Sequence, residues 1–204
     1  GTIAIEAAQI ACGMAPGLTR RHFAFERQGP FQPLRAQWQA MRREAEAAVH
    51  APAVAVFAGD VSFRMTDFAQ RNAARAGVAQ AIAFKTADAL QRPPPAEAGV
   101  LLLNPPYGER IEAKGSGRAQ AAREAFEGGG SSAAFFGALA AHWKRHYAGW
   151  TAWLLSPDMK LPSLMRLKEC ARVPMWNGPL ECRLFRFDLV AGSNRGARGD
   201  GPGS

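Results

Sequence analysis

Apolar residues recur at helical spacing from the start of the chain. Ile3, Ala7, Ile10 and Ala11 share one face, which predicts a buried helix beginning almost at Gly1. A loop of breakers follows (Gly13, Pro16, Gly17, then Gly29 to Pro33), and residues 36–49 read as a second helix with Trp38, Met41, Ala45 and Ala48 near one face. Short apolar runs then alternate with helical patterns. Residues 53–57 predict a short buried strand, 65–76 a helix closed by Gly77, and 81–86 a strand before the Pro93-Pro94-Pro95 breaker. Residues 99–103 are apolar without alternation, as expected of a strand covered on both faces. A polar, glycine-rich stretch at 112–132 is expected to be a mobile loop, ahead of a helix at 133–147 and a strand at 150–155. Asn177-Gly178 is a hairpin signal between strands at 171–176 and 180–189. The pattern predicts an α/β fold with a mostly parallel sheet and an antiparallel C-terminal hairpin strand. One domain is expected over 1–190, followed by a disordered glycine- and arginine-rich tail at 191–204.

Composition narrows the class. With 48% hydrophobic and 21% charged residues, the chain has the make-up of a soluble globular domain. No apolar run approaches the roughly 20 residues needed to span a bilayer. Three cysteines, Cys12, Cys170 and Cys182, show no paired spacing, which argues against a disulfide framework and a zinc site and predicts a reducing, cytoplasmic setting. His142 and His146 stand four apart but have no evident third ligand, so no metal is expected. The net charge of +8 favours a polyanionic partner, because each neutralised phosphate releases counterions.

The residues that carry chemistry are Asn104-Pro105-Pro106-Tyr107, directly after an apolar strand, where open α/β sheets hold their ligands. Two successive prolines stiffen the backbone and aim the Asn104 amide and the Tyr107 ring at one small volume. An exocyclic amine on a base is conjugated, so its lone pair is a poor nucleophile. The Asn104 side-chain oxygen and a neighbouring carbonyl can hold both of its hydrogens and shift the nitrogen toward sp³ as it attacks. Tyr107 offers a face on which an extruded base can stack.

Asn-Pro-Pro-Tyr resembles the signature of methyltransferases acting on planar nitrogens. The longer string Asn104-Pro105-Pro106-Tyr107-Gly108-Glu109-Arg110 resembles the narrower family of THUMP-associated ribosomal RNA guanine-N2 methyltransferases. Gly1 to Ala8, Ala15-Pro16-Gly17-Leu18, the His22–Phe25 stretch, Ser156-Pro157-Asp158 and Asn177 to Cys182 are similar to further segments of it. The resemblance spans roughly residues 1–190. It implies a Rossmann-like class I methyltransferase sheet, S-adenosylmethionine as cofactor and ribosomal RNA as partner. The family's cofactor loop reads Asp-Pro-x-Cys-Gly-Ser-Gly-Thr, and Gly1 and Thr2 match its end. The resemblance therefore implies that the central first strand, most of that loop and an RNA-binding THUMP domain belong upstream of Gly1.

Two acidic residues, together with Asn104, complete the expected cofactor site. Asp60, with Val61 beside it, follows the strand ending near Phe57, where a carboxylate can accept both ribose hydroxyls of a nucleoside. Asp88 resembles the acid that accepts from the cofactor's adenine amine, although an N-cap or turn role competes with that. The leading expectation is methyl transfer to guanine N2 of large-subunit ribosomal RNA. An adenine-N6 DNA methyltransferase shares Asn-Pro-Pro-Tyr, and a noncatalytic RNA-binding fragment is the alternative from another class.

Overall fold

The computed structural model describes residues 1–105 and 132–190. Pro106, Tyr107, the tail at 191–204 and all but the last residue of the loop expected at 112–132 lie outside the described residues; Ser132 itself opens a helix. The chain divides into two compact units, Gly1–Ala89 and Leu90–Ser204.

The first unit runs α1 (Thr2–Ala11), short 3-10 helices at Ala24–Arg27 and Gly29–Leu34, α2 (Arg35–Ala47), β1 (Val56–Asp60), α3 (Phe63–Arg75) and β2 (Ile82–Thr86). β1 and β2 are parallel, with Val56 opposite Ile82 and Asp60 opposite Thr86. The ladder explains why β1 lies three residues beyond the run expected at 53–57. Hydrophobicity marks the apolar stretch, but the strand ends where its hydrogen-bonding partner ends.

In α1 the buried residues are Ala8 and Ala11, with Ala4 and Ile5 packed on the same core, whereas Ile3 and Ile10 are exposed. The expected face is thus rotated. The bulkiest residues suggested the core side, yet the contact is made by small ones. A Cβ added to Gly1 would stand 2.6 Å from the Ala69 Cβ of α3, so the two helices touch closely at Gly1. Met41 of α2 is likewise exposed, and Trp38 and Ala45 are the half-buried members of the expected face. Ser62 caps α3, its Oγ accepting from the Met65 N–H, and Gly77 at φ +77° turns the chain after the helix.

The second unit runs β3 (Val100–Leu103), α4 (Ser132–His146), β4 (Thr151–Ser156), the one-turn α5 (Leu161–Met165), β5 (Ala171–Asn177) and β6 (Leu180–Asp188). The strand order is β3-β4-β6-β5. β3 and β4 are parallel, while β4–β6 and β5–β6 are antiparallel. The hairpin turns at Gly178-Pro179, with Asn177 paired to Leu180 and Gly178 at φ +65°. Pro174 is tolerated because β5 is an edge strand. Leu139, Trp143, Leu154, Leu161, Phe185 and Phe187 form the centre of the core.

β3 departs from its expectation of burial on both faces. Leu101 and Leu103 pack against the core, but Val100 and Leu102 are 66% and 48% exposed. The strand alternates in burial although it does not alternate in sequence. Among the described residues β1 and β3 each pair with one neighbour only.

Candidate functional site

In the first unit the expected cofactor residues gather at one end. Asp60 is the last residue of β1, and Asp88 follows the adjacent parallel strand by two residues. The Asp60 carbonyl accepts from the Ala87 N–H at 3.0 Å, so the two chain segments stay together past the ladder. The Asp60 carboxylate is exposed, and its Oδ1 accepts from the Ser62 N–H at 2.8 Å. This short loop holds the carboxylate at the mouth of α3. Val61 is exposed between them. Asp88 is half-buried just before a turn at 89–91, and no helix begins there, so of its two local roles the turn remains.

Gly1, which leads into Thr2 and α1, packs beside Ala69 at the middle of α3. α1 runs in the direction of α3, because Gly1 abuts Ala69 while Gln9 Nε2, a helix length later, donates to the Ala76 carbonyl at 3.4 Å. α3 itself starts from the carboxyl end of β1. The ends of the two parallel strands, the N-terminus of α3 and the exposed Asp60 carboxylate therefore share one edge of this unit.

Asn104 and Pro105 belong to the second unit. Asn104 is the first residue past β3 and is exposed; Pro105 is half-buried. Pro106 and Tyr107, the rest of the motif, are outside the described residues. The pairing of Leu103 with Leu154 brings the turn after β4 to the same edge as Asn104. That turn is fastened by its own side chains. Ser156 Oγ accepts from the Asp158 N–H at 3.1 Å, and Asp158 Oδ1 accepts from the Lys160 N–H at 2.8 Å. Sequence reasoning noted Ser156-Pro157-Asp158 as a resemblance but gave it no place in the site. A serine at the end of an apolar strand was the available signal, and Ser156 is buried. Among the described residues no group of three His, Cys, Asp or Glu could hold a metal, and no helix is long and apolar enough to cross a membrane.

Residues 1–186 match the family model described as "RMKL-like, methyltransferase domain". The chain belongs to that family. It is 36% identical over 199 residues to the ribosomal RNA large subunit methyltransferase K/L of Shewanella baltica (strain OS185), covering 96% of this chain and 26% of that protein. The Shewanella loihica protein of the same name is 35% identical over the same length. The chain thus spans about a quarter of the length of the curated relatives it matches. Among solved structures, a protein described as a methylase from Clostridium difficile 630 aligns at TM-score 0.76 and 26% identity, over 96% of this chain and 47% of that one. One described as an N6-adenine-specific DNA methylase from Listeria monocytogenes aligns at TM-score 0.72 and 26% identity, over 92% and 43%. SMU.472, a methyltransferase by its description and solved with SAH, shares the fold at TM-score 0.73 and 24% identity, over 92% and 45%. The α/β fold expected from the pattern, and the methyltransferase sheet implied by the resemblance, are the fold of this chain, with two parallel and two antiparallel ladders among the described residues.

Proposed function

We propose that the protein carrying this chain transfers a methyl group from S-adenosylmethionine to an exocyclic base nitrogen, guanine N2 of large-subunit ribosomal RNA. The observation that carries the proposal is the 36% identity maintained along 199 residues to the methyltransferases K/L, with Asn104 directly past a strand end. Ribosomal RNA is then the partner and the cytoplasm the place of work. The far greater length of the relatives leaves room for an RNA-binding THUMP domain in the complete protein.

The donor set suits the cofactor. The exposed Asp60 carboxylate, at the carboxyl end of β1, can accept both ribose hydroxyls; Val61 lies beside it, and Asp88 can accept from the adenine amine. Gly1 and Thr2 lead into α1, whose N-terminal N–H groups favour a negatively charged group. The solved relative bound to SAH lends support to this cofactor. S-adenosylmethionine supplies the electrophilic methyl group. Asn104 accepts a hydrogen bond from the target amine and, with a backbone carbonyl of the motif, holds its hydrogens as the lone pair is freed. Pro105 and Pro106 keep that acceptor from swinging away, and Tyr107 stacks on the base once it leaves its neighbours.

A second reading, adenine N6 in DNA, is favoured by the Listeria neighbour and by the shared Asn-Pro-Pro-Tyr. Labelled methyl transfer with the complete protein, followed by mass spectrometry of the nucleosides, separates the two. N2-methylguanosine in ribosomal RNA is expected. N6-methyladenine in DNA would replace the first reading with the second, and no transfer to either would overturn both.

A further inference from the structure

Between α1 and β1 the chain builds a pocket that none of the candidate site residues enters. Its volume is about 520 Å³, within the range of small-molecule sites. Arg21, Arg27, Arg35 and Arg42 line it together with Phe23 and Trp38. Four guanidinium groups around one cavity repel each other, and among the described residues only Arg42 has a carboxylate partner, Glu46 at 3.9 Å one turn along α2. The one carboxylate on the wall, Glu26, is turned to structural use. Its Oε1 accepts from the Phe23 N–H at 3.1 Å and from Trp38 Nε1 at 3.3 Å. Arg42 braces the loop, donating to the carbonyls of Leu18 and Arg21 at 3.2 Å each. The guanidinium groups of Arg21, Arg27 and Arg35 have no hydrogen-bond or ion-pair partner among the described residues.

The wall behind them is rigid and aromatic. Trp38 meets Phe23 and Phe25 edge-on at 5.4 and 5.1 Å, and Phe31 closes on Phe25 at 4.8 Å. Arg20, outside the pocket lining, stacks over Phe23 at 5.1 Å and donates to the His22 carbonyl at 3.0 Å. Phe, Trp and Arg in this arrangement supply two things at once: forked donors that match phosphate oxygens, and flat apolar surface beside them.

We propose that this pocket is a subsite for an RNA strand, in which Arg21, Arg27 and Arg35 bind successive phosphates and the Phe23–Trp38 wall takes the adjoining base or ribose. The proposal rests on the functional reading for the substrate being RNA; which base is methylated does not enter it. The site is a grip on the strand away from the reacting base, so it governs binding and leaves the chemical step untouched.

The test uses the complete protein and an unmodified ribosomal RNA fragment containing the target nucleotide. Arg27→Gln/Arg35→Gln removes two partnerless charges without disturbing the packing beneath. Arg43→Gln/Lys168→Gln, two exposed cations outside the pocket, controls for net charge. Each lost phosphate contact on a single strand lowers the slope of log K against log salt by about 0.7, so the double variant should bind roughly ten- to thirty-fold more weakly near about 0.1 M salt, with a slope shallower by about 1.4. KM for RNA should rise by the same factor with kcat unchanged, and the control pair should change both far less. Equal losses in the pocket and control pairs overturn the subsite while leaving the functional reading intact. So does polyglutamate displacing RNA as effectively as a second RNA does. Failure of the unaltered protein to bind RNA at all overturns both.

Discussion

The backbone N–H of Ser62 donates to the Asp60 carboxylate at 2.8 Å, while the Ser62 hydroxyl accepts from the Met65 N–H at 3.4 Å. One residue thus joins the end of β1 to the start of α3 and fixes the direction of the acid. The two duties of Asp60, local turn and cofactor acceptor, can be separated by substitution. Asp60→Asn keeps an acceptor for Ser62 but loses the charge; Asp60→Ala loses both. In the complete protein we expect Asp60→Ala to weaken S-adenosylmethionine binding by roughly ten- to hundred-fold, with Asp60→Asn intermediate. Calorimetry giving unchanged affinity for both would remove Asp60 from the cofactor site.

Gly1 and Ala69 make a second pair with a measurable consequence. A methyl group at Gly1 would meet the Ala69 Cβ at 2.6 Å, closer than carbon atoms approach without movement. Gly1→Ala in the complete protein should destabilise it by about 1–3 kcal/mol, the usual cost of overpacking. Ala69→Gly alone should cost about 0.5–1 kcal/mol through helix entropy. Because the second change opens the space the first one fills, the double variant should be more stable than the sum predicts. Strict additivity in thermal unfolding would mean that the helices do not meet there.

Tyr147 predicts a pH dependence. It is 4% exposed, and its hydroxyl donates to the Arg92 carbonyl at 2.9 Å. Burial raises its pKa above the ordinary 10.0, with the Arg92 charge opposing. The folded value lies above the unfolded one, so the neutral phenol stabilises the fold fully below pH 10.0 and loses that contribution as pH rises through the folded value. Tyr147→Phe should lower Tm at neutral pH, by the equivalent of about 1 kcal/mol for the hydrogen bond. The difference from the unaltered protein should shrink above about pH 10. A gap that stays constant into alkaline solution would show that the phenol does not titrate as its burial requires.

How far the sequence could be read follows from what periodicity encodes. Element order was legible because apolar runs and breakers alternate cleanly, and the hairpin was legible from Asn177-Gly178, although the two turn residues are Gly178-Pro179 and Asn177 closes the ladder as the last residue of β5. Burial was not. Val100 to Leu103 are all apolar, so nothing in the pattern says that only Leu101 and Leu103 meet the core. The face of α1 was misread for a related reason: close helix contact at Ala8 is made by residues too small to register as hydrophobic anchors. The pocket of arginines is not legible in the sequence, because its members come from a loop, a 3-10 helix and α2, and only the fold around Trp38 brings them together. Of the expected site residues, Asp60 and Asp88 were legible as strand-end acids, and their adjacency follows from the parallel pairing of β1 and β2.

The sharpest of these experiments concerns Asn104. Its side chain would hold the amine hydrogens most tightly as the nitrogen begins to attack, so its contribution belongs to the transition state more than to substrate binding. Asn104→Ala in the complete protein should lower kcat by roughly 10²–10³-fold, the scale of losing one preorganised polar contact. Cofactor affinity should be little changed, because the main role of the amide is toward the base. Asn104→Asp is the informative companion. It keeps an oxygen acceptor of similar size but adds a charge, so it should recover part of the rate if acceptance is what matters. Tyr107→Ala should behave differently and weaken RNA engagement as well as turnover, since a stacking ring acts before chemistry. Single-turnover methylation at saturating cofactor, run beside direct RNA binding, distinguishes the two. Wild-type rates from Asn104→Ala would reduce Asn104-Pro105 to a strand-terminating turn and require another acceptor for the amine.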